Sequence, residues 1–279
     1  MVSYRYKPPA PLDRFLEVIW VMEAPAAPHS KERLLPDGSV EIVFDLGSAS
    51  FPIFTNEMLT RRDCFRGSVV CGPHSRPFGI DTSTGTSVAG VHFKPGGAHP
   101  FLGLPFGELH NMHVGLDAFW GRNTATRVRD QLLEAPTPQA KAQVLERQLF
   151  SIARGRSDRH PAVAFALNEF QSTPEVQRIS AVTDQIGISA RHFIDIFRDE
   201  VGLTPKLFCR VRRFQKALSQ ISRGAQIHWP NVALEAGYFD QAHFIHDFRA
   251  FSGINPSAYL ANYLGHVNHV AVNRSPTTP

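Results

Sequence analysis

The sequence FIDIFRDEVGLTP at residues 193–205 returns 51 positions later as FIHDFRAFSGINP at residues 244–256. The two copies are identical at six positions: the first Phe, the Ile, the second Phe, the Arg, the Gly and the Pro. Solenoid proteins need at least three stacked repeats to bury their faces, so a pair of copies does not fit that architecture. The repeat instead indicates one supersecondary unit that has been duplicated.

The residues in front of each copy predict what that unit is. In the first copy, a short apolar helix over residues 179–186 ends at Gly187, and Ser189 is a suitable N-cap for the next helix. The second copy repeats this order with Val232–Ala236, Gly237 and Asp240. Its turn contains one residue more than the first turn. Helix, short glycine turn and helix form the helix-turn-helix pattern, and residues 205–222 predict one long helix between the two units.

The first half of the chain has a different periodicity. Gly and Pro separate short β-like segments at residues 12–23, 34–47, 68–72, 77–80 and 87–93, which is typical of a small β barrel or sandwich. Apolar residues at helical spacing then predict two amphipathic helices, over residues 124–134 and 138–153. The fold class is therefore α+β, with a small β domain and trailing helices followed by an all-α domain.

A polar, turn-forming segment at residues 154–159 separates these two regions. It predicts a β-rich domain over residues 1–155 and a helical domain over residues 156–266. Residues 267–279 show little apolar periodicity, so we expect a flexible tail.

Composition and charge narrow the class of protein. Hydrophobic residues make up 43% of the chain and charged residues 19%, as in soluble globular proteins, and the net charge is +4. The N-terminus lacks the apolar core of a signal peptide, and no run approaches the roughly 18 apolar residues of a membrane span. Three cysteines without Cys-x-x-Cys spacing argue against a disulfide framework or a structural zinc site. These features predict a cytoplasmic protein without a membrane partner.

The 13 histidines raise the question of a metal-dependent enzyme. Four candidates fall in the β region: His92, His99, His110 and His113. The sequence has no His-x-His pair of the cupin type, no nucleotide-binding glycine loop and no Ser-His-Asp order, so we expect no metal, no cofactor and no catalysis. A cupin-like enzyme with a helical accessory domain is the alternative from another class. A helical protein-interaction module that does not bind DNA is a further one.

Residues 160–263 resemble the DNA-binding domain of the AraC/XylS family of bacterial transcription regulators. The strongest similarity is in VALEAGYFDQAHFIHDFR at residues 232–249 and GINPSAY at residues 253–259. The N-terminal region resembles a small β domain of uncharacterised role that accompanies some of these regulators. That similarity is carried by LPDG at residues 35–38 and FKPGGA at residues 93–98.

The resemblance implies that two recognition helices enter successive major grooves of double-stranded DNA. The first would present Ala190, Arg191, Ile194 and Asp195, and the second Gln241, Ala242, His243 and His246. Arg191 can pair with guanine and Gln241 with adenine, whereas Asp195 either accepts from cytosine or faces solvent or a neighbouring Arg. Phosphate contacts would come from Arg198 and Arg249, which alternatively brace the fold, and from a basic stripe on the linking helix. The stripe comprises Arg210, Arg212, Arg213 and Lys216, whose other interpretation is a solvated helix face.

The function expected from these observations is sequence-specific DNA binding by a transcription regulator. By the same resemblance, the β domain senses a small-molecule effector, mediates homodimer formation, or does both. The two helices over residues 124–153 are the candidates for self-association.

Overall fold

The computed structural model of the chain describes residues 2–29, 31–47, 51–153, 159–172, 179–222 and 227–272. Two antiparallel sheets form the N-terminal region, and helices form most of the rest. The strands are β1 Val2–Tyr6, β2 Leu16–Ala24, β3 Lys31–Leu34, β4 Glu41–Asp45, β5 Phe51–Phe54, β6 Arg62–Phe65, β7 Ser68–Cys71, β8 Phe78–Asp81, β9 Thr86–Phe93, β10 His113–Gly115 and β11 His269–Ala271. This arrangement confirms the predicted α+β class.

One sheet has the order β1-β2-β9-β4-β7-β10, and the other has the order β11-β3-β8-β5-β6. The long pair β2 and β9 lies in the interior of the first sheet, with Ile19 opposite Val91 and Val21 opposite Ala89. Those four side chains are buried, because alternate residues of each strand face the same side of the sheet. The alternation of apolar residues therefore fixes the register of the central strands.

The helices are α1 His99–Leu102, α2 Asp117–Trp120, α3 Arg122–Glu134, α4 Pro138–Ala153, α5 Pro161–Ser172, α6 Ile179–Ile186, α7 Ala190–Val201, α8 Pro205–Ile221, α9 Trp229–Glu235, α10 Gln241–Ser252 and α11 Pro256–Ala261. Two short 3-10 helices occur at Leu12–Arg14 and Phe106–Leu109. α3 and α4 cover the six-stranded sheet, and their buried residues Val128, Leu132 and Leu145 join its core. The predicted helices at residues 124–134 and 138–153 are confirmed as α3 and α4.

A second core lies within the helical region and extends into the β domain. Ten buried aromatic residues of the described part of the chain belong to it: Phe170, Phe193, Phe197, Phe208, Phe214, Tyr238, Phe244, Phe248, Phe251 and Tyr259. Leu35, which follows β3, and Val270, in β11, are buried in the same cluster. The two domains therefore share apolar contacts that neither forms alone.

The end of the chain differs from the sequence prediction. Residues 267–279 were expected as a flexible tail, but His269–Ala271 pairs antiparallel with β3 and adds an edge strand to the five-stranded sheet. The Gln215 side chain fixes this segment, because its Nε2 donates at 2.8 Å to both Pro36 O and Asn268 Oδ1. A three-residue strand leaves too short a pattern to detect in the sequence. Residues 273–279 and the predicted domain boundary at residues 154–158 lie outside the described residues.

Candidate nucleic-acid interface

The first helix-turn-helix unit consists of α6, a turn at Gly187 and α7. Gly187 has a φ of 73°, in the left-handed region that glycine adopts most readily. The Ser189 hydroxyl accepts from the backbone N–H of His192 at 3.3 Å, and so it caps α7. Phe193 and Phe197 point into the helical core with no exposed surface. The sequence predicted the turn, the cap and these two core residues.

The opposite face of α7 contains the residues predicted to contact bases. Ala190, Arg191 and Asp195 are exposed, whereas Ile194 is half-buried. The first turn of α7 is thus open to solvent, as a base-reading helix requires. Arg198, farther along the helix, is exposed but lies beside the β domain. A Cβ atom added to Gly107 would be 2.7 Å from Arg198 Nε.

The second unit repeats this arrangement with α9, a turn at Gly237 and α10. Gly237 has a φ of 89°, and the Asp240 carboxylate accepts from the backbone N–H of His243 at 2.7 Å. Phe244 and Phe248 are fully buried, as are their counterparts in α7. The carboxylate cap also places a negative charge at the positive end of the helix dipole, which favours the helix.

Four of the predicted contact residues of α10 are exposed: Gln241, Ala242, His246 and Arg249. His243 is half-buried, and its ring lies 5.2 Å from the ring of Tyr238. Its Nε2 lies 3.9 Å from Asp247 Oδ2. His243 therefore has contacts within the fold, in contrast to Gln241 on the outer face.

Two arginines of the basic stripe predicted on the linking helix α8 make contacts within the protein. Arg210 donates from Nη2 to Asp247 Oδ1 at 2.7 Å, and its guanidinium lies 5.2 Å from the centre of the Phe251 ring. The guanidinium of Arg213 lies 5.5 Å from the centre of the Tyr238 ring. These contacts connect α8 to the second unit, because Asp247 and Phe251 are on α10. Arg212 and Lys216 are half-buried on the same helix.

The pair between Arg210 and Asp247 was not expected from the sequence. Asp247 retains only 2% of its side-chain exposure, so its charge would be costly without a partner. Its hydrogen bond to Arg210 raises the pKa of that guanidinium further. A signal existed in the sequence: position 247 is three residues after buried Phe244, on the apolar face of α10. An acidic residue on that face predicts a buried cation nearby.

The four histidines considered as metal ligands each have different neighbours. His110 Nε2 lies 2.8 Å from the Ser75 hydroxyl, and the ring of His99 packs at 6.3 Å from Phe106. The ring of His113 contacts Phe78 at 4.6 Å. Over the described ranges, no group of three His, Cys, Asp or Glu side chains is arranged to hold a metal ion.

His92 lies between two carboxylates, with Nε2 3.3 Å from Asp37 and Nδ1 3.5 Å from Glu41. Burial lowers the pKa of His92, but these two charges outweigh it and raise the pKa to about 9. The imidazolium is therefore the stable form at neutral pH. It bridges the Pro-Asp-Gly turn, strand β4 and strand β9, which is a structural role.

Comparison with known protein families agrees with this geometry. A family model described as a helix-turn-helix domain matches residues 182–262. This stretch includes α7, α8, α9 and α10. Residues 182–262 are an AraC-type helix-turn-helix domain, and the chain is a DNA-binding transcription regulator. A second model, described as a domain of unknown function (DUF6597), matches residues 4–115 of the regulator.

Other comparisons describe similarity at low sequence identity. ToxT from Vibrio cholerae shares 9% identity at a TM-score of 0.47, over 87% of this chain and 98% of that chain. A structure of wild-type ToxT from Vibrio cholerae with bound unsaturated fatty acid shares 12% identity at a TM-score of 0.49, over 87% and 94%. The xylose-binding transcription activator xylR shares 20% identity at a TM-score of 0.33, over 44% and 38%. A search of curated proteins gives no match.

None of the helices in the described part of the regulator is both long enough and apolar enough to cross a lipid bilayer.

Proposed function

We propose that the regulator reads a specific DNA sequence with the first turns of α7 and α10. The observation that carries this proposal is the exposure of both first turns in helices whose opposite faces are fully buried. Arg191 in α7 and Gln241 in α10 are the base readers. A guanidinium can pair with both major-groove acceptors of guanine, and a carboxamide can do the same with adenine. Binding to the chromosome places the regulator in the cytoplasm.

The remaining predicted residues have supporting positions in this proposal. Arg249 and Arg198 contact phosphate, and such contacts add affinity without selecting sequence. Ala190 and Ala242 allow close approach of each helix to the groove, while Asp195 and His246 distinguish the two half-sites. The half-buried residues Ile194 and His243 act from the inner edges of the helices. Arg210 holds α10 against α8 through Asp247, and Arg213 holds the turn before α10 through the ring of Tyr238.

Selection of binding sites from random duplex DNA at about 0.15 M salt tests the proposal, since phosphate contacts are strongly salt-dependent. We expect one bipartite site. Arg191→Ala and Gln241→Ala should each weaken binding to it by about 1–3 kcal/mol and relax specificity at one position. Arg122→Ala is the matched control, because Arg122 is an exposed arginine on α3, outside the helix-turn-helix domain. Unchanged affinity in both base-reader variants would refute the assignment.

We further propose that the β domain controls the spacing of the two recognition helices. It contacts the C-terminal end of each: Phe106 packs at the end of α7, and Arg33 Nη1 donates to Ser252 O, at the end of α10, at 3.0 Å. A small molecule that changes the β domain would therefore change the DNA-competent population, provided that it binds the two arrangements with different affinity. Thermal unfolding of the full chain with a panel of small metabolites tests this role.

Self-association through α3 and α4 belongs to the same proposal. Leu133 on α3 and Phe150 on α4 are 46% and 37% exposed, which is unusual for large apolar residues on amphipathic helices. Pairing of these helices between two copies would cover them. Sedimentation that shows only monomer at high micromolar concentration would exclude the homodimer.

A further inference from the structure

The additional residue in the second turn is Phe239. In the first unit, Gly187 is followed by half-buried Ile188 and then by the cap Ser189. In the second unit, Gly237 is followed by Tyr238, then Phe239, then the cap Asp240. Tyr238 takes the place of Ile188 in the core, so Phe239 has no counterpart in the first unit.

The conformation of the turn directs Phe239 outward. Tyr238 is 2% exposed, and its ring contacts the ring of Phe244 at 5.4 Å. Asp240 has extended backbone angles, with φ −152° and ψ 175°. Neighbouring residues in an extended segment point to opposite sides, so the buried Tyr238 leaves Phe239 on the solvent side. Phe239 is 90% exposed, more than any other large apolar residue in the described part of the chain.

An exposed phenylalanine at this position contributes nothing to the core, yet it lies where DNA is expected. Phe239 comes immediately before the cap of α10, and Asp240, Gln241 and Ala242 beside it are all exposed. The N-terminal turn of a recognition helix is the part that enters the major groove. The bases present one apolar group there, the C5-methyl group of thymine, and phenylalanine is among the side chains that contact it.

From this geometry, and on the basis of the proposed DNA reading by α10, we infer that Phe239 selects thymine by contact with its methyl group. The thymine lies next to the base that Gln241 reads, at the edge of the second half-site. The first half-site has no equivalent preference, because α7 lacks the additional residue. The inserted residue thus adds one position of specificity to only one of the two units.

A protein partner is the other class of occupant for an exposed aromatic ring. Leu234 on α9 is 72% exposed and would be the natural companion of Phe239 in such a patch. However, a protein that covered Phe239 would also crowd Gln241, two residues away. The position of Phe239 beside the base-reading turn therefore favours DNA.

Deoxyuridine tests the contact directly, because it differs from thymine only by the missing methyl group. Each thymine in the selected site is replaced in turn, and the Kd of the full-length protein is measured at about 0.15 M salt. We expect one replacement, adjacent to the position affected by Gln241→Ala, to weaken wild-type binding about fourfold, the effect of one buried methyl-sized group. Phe239→Ala should bind the thymine-containing site more weakly than the wild type by at least that factor. It should bind the thymine-containing and the deoxyuridine-containing DNA equally.

Leu234→Ala is the control, with another exposed apolar residue of the same unit, and it should retain the wild-type response to deoxyuridine. Because Phe239 is on the surface, thermal unfolding of Phe239→Ala should match that of the wild type. If the wild type selects a site but Phe239→Ala shows the same deoxyuridine effect, the thymine contact is wrong and DNA reading by α10 stands. If the wild type selects no site at all, the proposed function itself fails. If Phe239→Ala and Leu234→Ala both bind DNA like the wild type but no longer bind a protein partner, the Phe239 ring belongs to a protein interface.

Discussion

The two helix-turn-helix units have the same scaffold sequence but are held in place by different means. Gly202 ends α7 and Gly253 ends α10, at equivalent positions of the repeat and with similar φ values of 84° and 70°. Gly202 is buried against Pro73 and Phe106 of the β domain. Gly253 is exposed and faces the end of the Arg33 side chain. The first unit is therefore fixed by close packing, and the second by polar contacts of side chains.

A second difference lies on the inner faces of the recognition helices. Ile196 in α7 corresponds to Asp247 in α10, and only the acidic residue pairs with the linking helix, through Arg210. The two phenylalanines that are identical in the copies form each core, whereas the anchoring residues have diverged. Duplication has preserved how each unit folds and has changed how each unit is attached. This comparison indicates that the two units will respond differently to the same type of substitution.

Removal of the buried ion pair should give the largest effect, and only in the second unit. Arg210→Ala leaves the Asp247 carboxylate buried without its cation, which we expect to destabilise the protein by about 3–5 kcal/mol. Urea unfolding of the full chain measures the change. Binding to the selected DNA should weaken in the α10 half-site and remain in the α7 half-site.

The matched control converts the second unit to the chemistry of the first. The double variant Arg210→Met with Asp247→Ile replaces the ion pair by apolar side chains, as Ile196 already does in α7. Exchange of a buried pair for packed apolar residues is often neutral, so this variant should recover most of the lost stability. A single variant that loses less than about 1 kcal/mol, as a surface pair would, contradicts the anchoring role.

Alanine at the two equivalent glycines should separate the two kinds of attachment. Gly202→Ala and Gly253→Ala share the cost of a side chain in the left-handed region, about 1–2 kcal/mol. A Cβ atom at Gly202 would also lie 2.9 Å from the Phe106 carbonyl oxygen, and rigid overlap adds about 1–3 kcal/mol. At Gly253 the neighbour is Arg33 Nη1 at 2.7 Å, which can move aside.

Gly187→Ala is the control for backbone strain alone, because a Cβ atom there would meet nothing within 4 Å and the φ is 73°. We expect Gly187→Ala and Gly253→Ala to lower the free energy of unfolding by similar amounts. Gly202→Ala should lower it clearly more. Equal losses in all three variants would show that the β domain does not pack closely on the first unit.

The features that the sequence predicted are local ones. Both caps, both glycine turns and the aromatic core residues follow from spacing within one unit, because a helix brings residues three and four apart to one face. The turn at Pro36-Asp37-Gly38 was likewise readable from adjacent residues. Short-range pattern was therefore sufficient for the architecture of the DNA-binding domain.

The features that the sequence did not predict join distant parts of the chain. β3 has the sequence KERL, whose polar residues give no strand signal, and its partner β11 is 237 residues away at the pair Glu32 and His269. Arg33 reaches Ser252 across a separation of 219 residues. Such contacts depend on which surfaces the folded domains bring together, and no periodicity of either segment records them. The attachment of the second unit to the β domain could be seen only in the structure.

Each helix-turn-helix unit rests on a platform in the β domain: the region of Pro73 and Phe106 for the first unit, and the region of β3 and β11 around Arg33 for the second. Acid should destabilise the first platform at a higher pH than the second. Next to Pro73, burial lowers the pKa of His74 to about 4, against the opposing effect of its hydrogen bond to Gly72 O. A histidine with a lowered folded pKa stabilises the protein above its unfolded pKa of about 6.5, and this contribution is lost as pH falls toward 4. Between pH 6.5 and 5 the loss should reach about 2 kcal/mol. Burial lowers the pKa of neighbouring His113 as well, so it acts in the same direction.

The platform of the second unit responds in a different pH range. Burial raises the pKa of Glu32, but hydrogen bonds with His269 and His29, both at 2.8 Å, outweigh this and lower the pKa below its usual 4.5. The resulting stability is present above pH 4.5 and is lost only below it. Burial also lowers the pKa of His266 beside β11, so β3 and β11 should open somewhat faster at pH 5 as well. Hydrogen exchange at pH 6.5 and 5, corrected for intrinsic rates, should therefore show a larger acceleration in β7 and β10 than in β3 and β11. His74→Phe should reduce the difference, because the phenylalanine ring has no proton to bind, whereas His113 keeps its share of it. If hydrogen exchange at pH 5 accelerated equally in the pair β7 and β10 and in the pair β3 and β11, the two units would rest on one common platform. The proposed difference in how the two units are attached would then be wrong.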